Sequence, residues 1–393
     1  MAYKIIKLKK GKEESLLRFH PWVFSGAVAS LPDDIEEGDL VNVVSNTGKF
    51  IGVGHYQIGS IAVRILSFEE QEINDNFFIE RLSAAYQLRK TLNLIRPDNN
   101  AFRLVHGEGD FLPGLIVDIY GNTAVVQAHS PGMHYARNII ANALIAIEDA
   151  GIKNVYYKSE TTLPYKAQLD PQNDYIIGSF ETNIAIENGL KFHVDWLKGQ
   201  KTGFFVDQRD NRKLLEHYAK GRNVLNMFCY TGGFSFYAMR GGANLVHSVD
   251  SSSKAITLTN ANVELNFPED TRHKAFAEDA FKFLNEMDNN YDLIILDPPA
   301  FAKHRSALKN ALIGYRKLNA KAFEKIKPGG ILFTFSCSQA VNKDQFRLAV
   351  FSAAAQSRRK VRILHQLTQP ADHPINIYHP EGEYLKGLIL YVE

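Results

Sequence analysis

Two short stretches of this 393-residue chain carry side chains that could transfer a small group to an electron-poor ring. Asp297 ends the apolar run Leu293-Ile294-Ile295-Leu296 and is followed by Pro298 and Pro299, which lock the chain as it turns away. Cys337 sits between Ser336 and Ser338, just past the apolar run Ile331 to Phe335. A thiolate is a strong nucleophile even when sparsely populated. Carbon 5 of cytosine is too weak a nucleophile to take a methyl group directly, but a thiolate added at carbon 6 makes it enamine-like. An acid that protonates or hydrogen-bonds nitrogen 3 lowers that barrier further, and Asp297 is placed to do so. Position alone leaves Cys337 two readings, a nucleophile or the small buried apolar group that most free cysteines become. Cys229 reads as structural or as a passive neighbour of a cofactor.

A third stretch could hold such a cofactor. Val224 to Phe228 reads as a short strand, Thr231-Gly232-Gly233 as a loop, and Phe234, Tyr237 and Ala238 recur at helical spacing. The next apolar run, Leu245 to Val249, ends in Asp250. In an open parallel sheet this puts the Asp250 carboxylate beside the glycine loop, within reach of a ribose diol. Gly232 and Gly233 are adjacent and do not match the G-x-G-x-x-G pyrophosphate spacing. The pattern therefore favours a nucleoside without phosphates, S-adenosylmethionine (AdoMet), over a dinucleotide. An ordinary tight turn is the competing reading of the loop and Asp250 taken alone.

The elements that must position these groups follow a doubly wound order. A helix from Lys254 to Asn266 leads to a second carboxylate, Asp279, after a short apolar segment. The helix from Leu308 to Ile326 ends at Pro328-Gly329-Gly330 and returns the chain to the strand that delivers Cys337. Four strand ends thus bring Gly232/Gly233, Asp250, Asp297 and Cys337 to one edge, where sites form in such sheets. Before them, Gly199 to Arg212 combines a flexible loop, an aromatic pair and dense polar side chains. It reads as a ligand lid leading into a helix from Lys213 to Ala219, with Asp207 as a helix cap and Arg209 and Arg212 on a solvated face as the alternative.

The first 190 residues read differently. Strands at Tyr3 to Leu8, Leu40 to Val44, Phe50 to Tyr56 and Ile61 to Leu66, separated by glycine turns, make a small β-rich module. A packing helix from Asn76 to Leu94 stops before Pro97. Two strands around Pro113-Gly114, the strand Thr123 to Ala128, a helix from about Tyr135 to Ala150 and a strand from Val155 to Lys158 make a middle α+β region that shapes the substrate cleft. Glu187 to Asp195 reads as a hairpin. The expected division is 1–70, 71–190 and 191–393.

Composition limits the class. An apolar fraction of 45% and a charged fraction of 22% are ordinary for a soluble globular chain. No run of eighteen apolar residues or signal-peptide core is present, so a cytoplasmic protein is expected with no membrane partner. Two cysteines cannot by themselves form a zinc site, and no metal is expected. A net charge of +2 does not establish a nucleic-acid partner. The local clusters at Lys4, Lys7, Lys9, Lys10 and Lys12 and at Arg358, Arg359, Lys360 and Arg362 read as phosphate contacts or as solvated charge.

The N-terminal module resembles a PUA domain through His20-Pro-Trp-Val-Phe-Ser-Gly26, Glu37-Gly-Asp-Leu-Val41, Gly52-Val-Gly54 and Ile61-Ala-Val-Arg-Ile65. The C-terminal half resembles a class I AdoMet-dependent methyltransferase, an α/β fold with a Rossmann-like doubly wound sheet. The whole chain resembles the bacterial PUA-containing ribosomal RNA cytosine-C5 methyltransferases through Asp110 to Asp118, Gly199 to Arg212, Asn226 to Ser235, Asp297 to Phe301 and Ser336 to Ser338. The resemblance implies that Phe205, Gln208 and Arg209 close over AdoMet, with Gly232 and Gly233 under its methionine part. It further implies Asp250 at the ribose hydroxyls, Asp279 at the adenine, and Asn226, Phe228, Tyr230, Thr231, Ser251 and Ala280 completing the cofactor site. Cys337 is implied as nucleophile, with Asp297 beside it. Pro299 stands where many RNA cytosine-C5 enzymes carry a second cysteine, so release of a covalent adduct must use another base or water.

The expected function is formation of 5-methylcytosine in large-subunit ribosomal RNA, the target base being flipped into the pocket. Two alternatives remain: methylation of an exocyclic amine through Asp297-Pro298-Pro299, which needs no cysteine, and a non-catalytic RNA-binding assembly factor. An exposed edge of the middle region could pair two chains into a homodimer.

Overall fold

The computed structural model describes residues 3–164, 167–302 and 304–393. The chain forms two compact units. The first comprises residues 1–189, 194–206 and 371–382, and the second comprises 190–193, 207–370 and 383–393.

In the first unit, β1 (Lys4–Leu8), β2 (Trp22–Phe24), β3 (Val28–Ser30), β4 (Leu40–Val44), β5 (Phe50–Tyr56) and β6 (Ile61–Ser67) form a six-stranded sheet in the order β2-β6-β5-β4-β1-β3, with the one-turn helix α1 (Glu14–Leu17) before β2. Alternating Ile6, Leu8, Val41, Val43, Val63 and Ile65 point into one apolar core. Gly54 is required by that sheet, because a Cβ there would lie 2.1 Å from the Arg64 carbonyl oxygen. β2 and β3 are only three residues long and escape a search for strand periodicity.

Helix α2 (Asp75–Thr91) starts at Asn74, whose side chain accepts from the Phe77 N–H. It ends three residues earlier than Pro97 suggests, because Asn93 adopts a left-handed φ of 54° and turns the chain first. A second sheet, β11-β10-β9-β8-β7, is built from β7 (Ala101–His106), β8 (Leu115–Tyr120), β9 (Thr123–Ala128), β10 (Asn154–Tyr157) and β11 (Asp174–Ile177). The helical segment expected around 135–150 is two pieces, α3 (Pro131–Tyr135) and α4 (Arg137–Ile145). Phe78, Leu82 and Ala85 of α2 join Ile140 and Leu144 of α4 and Leu104, Val117 and Val126 of the sheet in one core.

A buried ion pair fixes the returning segment 371–382 within this unit. Arg89 is fully buried, donates to both carboxylate oxygens of Asp110 and gives a further bond to the Asp372 carbonyl at 2.7 Å. In the same unit, His20 and His379 bring one ring nitrogen each, and Glu381 a carboxylate oxygen, within 4.8 Å of one another. The Trp22 backbone N–H donates to His20 Nδ1 at 3.2 Å, so Nε2 is the ring nitrogen that faces Glu381 Oε2, at 3.5 Å. Strand β12 (Ile184–Glu187) completes the unit's strands, and Asn188-Gly189, both at positive φ, turn the chain into β13 (Leu190–His193) of the second unit.

The second unit is a seven-stranded sheet in the order β16-β15-β14-β17-β18-β20-β19. Its strands are β14 (Asn223–Met227), β15 (Leu245–Asp250), β16 (His273–Ala277), β17 (Leu293–Leu296), β18 (Gly330–Ser336), β19 (Val361–Leu367) and β20 (Lys386–Val392). The first five are mutually parallel, and β20 enters antiparallel between β18 and β19. Strands buried on both faces are largely apolar, which is why β17 is an unbroken apolar run and β18 is apolar but for Thr334 and its last residue, Ser336. Helices α5 (Arg209–Tyr218), α6 (Gly233–Arg240), α7 (Ser253–Asn266), α8 (Ala280–Glu286), α9 (Leu308–Lys325) and α10 (Lys343–Ser357) make the crossovers and flank the sheet. Tyr315, Leu318 and Phe323 of α9 pack with Phe346 and Val350 of α10 and with Leu332 and Leu390 of the sheet. No helix among the described residues is long and apolar enough to cross a membrane.

Candidate active site

The parallel register places the carboxyl ends of β14, β15, β17 and β18 side by side: Met227 pairs with Val249 and Leu296, and Leu296 with Thr334. The residues immediately beyond these ends are the glycine loop, Asp250, Asp297 and Cys337.

After β14 the backbone is forced. Phe228 (φ 58°), Tyr230 (φ 48°) and Gly232 (φ 84°) all lie in the left-handed region within five residues. Two of these are bulky side chains that rarely adopt it, and such conformations persist only where surrounding structure holds them. The holding contacts are specific. The Cys229 N–H donates to the Val249 carbonyl, the Tyr230 N–H to Asp250 Oδ2 at 3.0 Å, and the Thr259 hydroxyl to the Tyr230 carbonyl at 2.9 Å. Asn262 Nδ2 donates to the Thr231 carbonyl. A Cβ at Gly232 would lie 2.5 Å from Phe236 Cζ and 2.8 Å from Thr259 Cγ2, so only glycine fits. At Gly233 the Arg212 side chain lies 3.0 Å from the same hypothetical atom.

Asp250 is half-buried and accepts the Tyr230 and Ser252 N–H groups, one on each carboxylate oxygen. A carboxylate offers about four lone-pair sites, so about two remain for a diol. Asn226 donates from Nδ2 to the Ser235 hydroxyl and leaves its buried Oδ1 without a partner. Asp207 accepts the Tyr384 hydroxyl on Oδ2 at 2.7 Å and leaves Oδ1 buried and unmatched. A backbone cradle, a ribose acceptor and orphaned polar oxygens together fit a nucleoside cofactor. Ser251 and Asp279 are exposed at the same edge of the sheet. Asp279 caps α8 by accepting the Lys282 N–H, and Ala280 is the buried first residue of that helix.

Gln208, Arg209 and Arg212 are built into the unit. Each is at most 3% exposed. The expected lid is instead a 3₁₀ turn, Val206–Gln208, running into α5, which begins four residues earlier than the sequence suggests. The solvated-face alternative fails on the same burial, and Asp207 is not a cap: α5 is preceded by Gln208 and has no side-chain cap. Phe205 falls on the segment that belongs to the first unit, whereas the other expected cofactor residues lie in the second.

Asp297 and Cys337 face each other across neighbouring strand ends. The Cys337 thiol points at the Pro298 carbonyl at 3.9 Å, and Gln208 Nε2 donates to Asp297 Oδ2 at 3.0 Å. Cys337 is half-buried, while Cys229 is buried. Burial, followed by the negative charge of Asp207, pushes the Asp297 carboxyl up to about 7. Burial, then Asp297 and Asp207, pushes the Cys337 thiol up to about 12, opposed by Lys386. The two shifts are linked: a proton on Asp297 removes a negative charge that disfavours the thiolate. Sequence reasoning gave no role to Tyr384 or Lys386, read Asp207 as part of a lid or a helix cap, and met Ser338 only as a flank of Cys337. Ser338 holds the loop by accepting the Ala302 N–H and bonding the Tyr315 hydroxyl at 2.8 Å. Lys386 left one signal, a cation opening an otherwise apolar strand.

A family profile described as S-adenosylmethionine-dependent methyltransferase matches residues 157–381, and one described as a PUA-like domain matches residues 6–68. In fold, the chain superposes over its full length with a Streptococcus mutans chain described as a SAM-dependent methyltransferase, at TM-score 0.84 and 23% identity. A chain described as a methyltransferase and solved complexed with SAH matches equally well, at TM-score 0.84 and 23% identity over all of both chains. Fold and site define an AdoMet-dependent methyltransferase. Two curated relatives named "Ribosomal RNA large subunit methyltransferase I" are similar throughout: that of Tolumonas auensis is 40% identical over 98% of both chains, and that of Alteromonas mediterranea 41% identical over 100% of this chain and 99% of its own. The chain belongs to the ribosomal RNA large subunit methyltransferase I family.

Proposed function

We propose that this enzyme methylates carbon 5 of a cytosine in large-subunit ribosomal RNA, with Cys337 as nucleophile and Asp297 as acid. The observation that carries the reading is the pair itself: a half-buried thiol and a carboxyl of near-neutral pKa at adjacent strand ends, beside the glycine loop. AdoMet, when bound, supplies the electrophilic methyl group. Cys337 gives up its proton to solvent water and its sulfur bonds to carbon 6, while Asp297 donates its proton to nitrogen 3, leaving carbon 5 nucleophilic. After carbon 5 is methylated, a base or water takes its proton, the carbon–sulfur bond breaks with its electron pair going to Cys337, and nitrogen 3 returns its proton to Asp297. Phe205, Gln208, Arg209, Asn226, Phe228, Tyr230, Thr231, Gly232, Gly233, Asp250, Ser251, Asp279 and Ala280 would hold the cofactor. Residues 1–70 and 71–190 would act as separate domains that bind RNA, and the enzyme would work in the cytoplasm, where its substrate is made.

The test is direct. Ribosomal RNA from cells lacking this protein is incubated with the enzyme and methyl-labelled AdoMet, then digested to nucleosides. Label in 5-methylcytosine is expected. Label in an N-methylated purine would move the chemistry to an exocyclic amine, and RNA binding without label would favour an assembly factor.

A further inference from the structure

We propose that Lys386 is the charge partner of Cys337: a positioning residue that holds the loop after β18 and supplies the positive charge that the thiolate requires. The inference rests on the reading of Cys337 as the nucleophile and adds a residue to it.

The geometry comes from the antiparallel insertion of β20. Its first residue, Lys386, pairs with Ser336, the residue before Cys337. The side chain is 5% exposed, and Nζ donates to the Ser338 carbonyl at 2.7 Å and to the Tyr384 carbonyl at 2.6 Å. One of these bonds thus grips the residue after Cys337. Both acceptors are neutral, and an ammonium out of water is costly unless a full negative charge faces it. Glu383 also favours the charged form, but less than Cys337, and it is in an ion pair with Lys343, whose charge acts against that form. Burial accordingly lowers the Lys386 pKa to about 8, and the group that most favours its charged form is Cys337.

The complementary deficit sits on the sulfur. Asp297 from the end of β17 and Asp207 from the turn before α5 both oppose a negative charge at Cys337, and Lys386 is the cation that favours it. Arg212 acts on Asp297 instead. The thiolate is therefore the counter-ion that Lys386 lacks, and Lys386 the one that the thiolate lacks. A proton on Asp297 completes the change, since it removes the opposing charge when the base is engaged.

The test separates charge from position. Lys386→Gln keeps an N–H donor for the carbonyls and loses the charge; Lys386→Arg keeps both. Alkylation of Cys337 by iodoacetamide, followed by peptide mass mapping across pH, reads thiolate formation without RNA or AdoMet: sulfur displaces iodide and the thiol proton goes to buffer. Cys229, whose thiol burial pushes up, serves as the internal control. An opposite charge at close range shifts a pKa by about one to three units, so Lys386→Gln should slow alkylation of Cys337 at fixed pH by at least about tenfold and move the profile upward. Lys386→Arg should restore the wild-type profile. An unchanged profile in a folded Lys386→Gln protein would overturn the pairing. If the profile shifts but Cys337→Ala still methylates RNA, the catalytic reading fails and the charge pairing stands; the two failures are thereby distinct.

Discussion

Replacing Cys337 with alanine is expected to lower methyl transfer at least about 10⁴-fold, the scale on which removing a covalent nucleophile acts. The side chain is half-buried, makes a weak 3.9 Å contact with the Pro298 carbonyl, and with its thiol pushed up to about 12 carries its proton at neutral pH, so its loss leaves a small void and breaks no resting ion pair with Lys386. Thermal stability and AdoMet affinity should therefore change little, and the loss should fall in kcat. Single-turnover methylation of unmodified ribosomal RNA, run beside an AdoMet binding titration, checks both. Retention of activity within tenfold would exclude a covalent route.

Asp297→Asn should cost about 10²- to 10⁴-fold in kcat, the usual contribution of a positioned acid, because an amide can hydrogen-bond nitrogen 3 but cannot protonate it. The same substitution should change stability in the opposite direction. A carboxyl whose folded pKa is near 7, against 3.8 as the ordinary value, holds its proton in the folded state over a range where the unfolded chain has released it. Its contribution to stability is full below about 4 and is lost as pH rises through about 7. Asparagine has no such loss. The variant should accordingly gain on the parent as pH rises from 5 to 8, by up to a few kcal/mol on the order of 1.4 kcal/mol per unit of pKa shift. Denaturant melts at the two pH values test this, and parallel stability curves would show that Asp297 is not held near neutrality. In the wild type, activity carried by the protonated acid should decline above about pH 7.

Much of the second unit was legible because its strands are buried on both faces. A strand that must be apolar throughout leaves no doubt about where it ends, and the first polar residue after it is the one presented at the sheet edge. Asp297 was found in this way, whereas His247 and Ser248 precede Asp250 within β15 and Ser336 stands between the apolar run and Cys337. The PUA-like strands were legible through alternation, except β2 and β3, which are too short to show a period. The solvated-face alternative for Arg209 and Arg212 failed because residue type argued for solvent, whereas tertiary partners can bury a charged group. The chain after Ser338 was hardly read. β19 is mostly exposed, and β20 joins a parallel sheet against its direction, so neither periodicity nor the crossover rule announces the pairing that delivers Lys386.

The central claim is the covalent step. Large-subunit RNA containing 5-fluorocytidine would be incubated with the enzyme and AdoMet, since fluorine at carbon 5 cannot leave as a proton and the adduct cannot resolve. A denaturation-resistant protein–RNA complex, dependent on AdoMet, mapping to Cys337 and absent in Cys337→Ala, is the predicted result. Methylated RNA with no trapped complex, or a complex that persists in Cys337→Ala, would contradict the account.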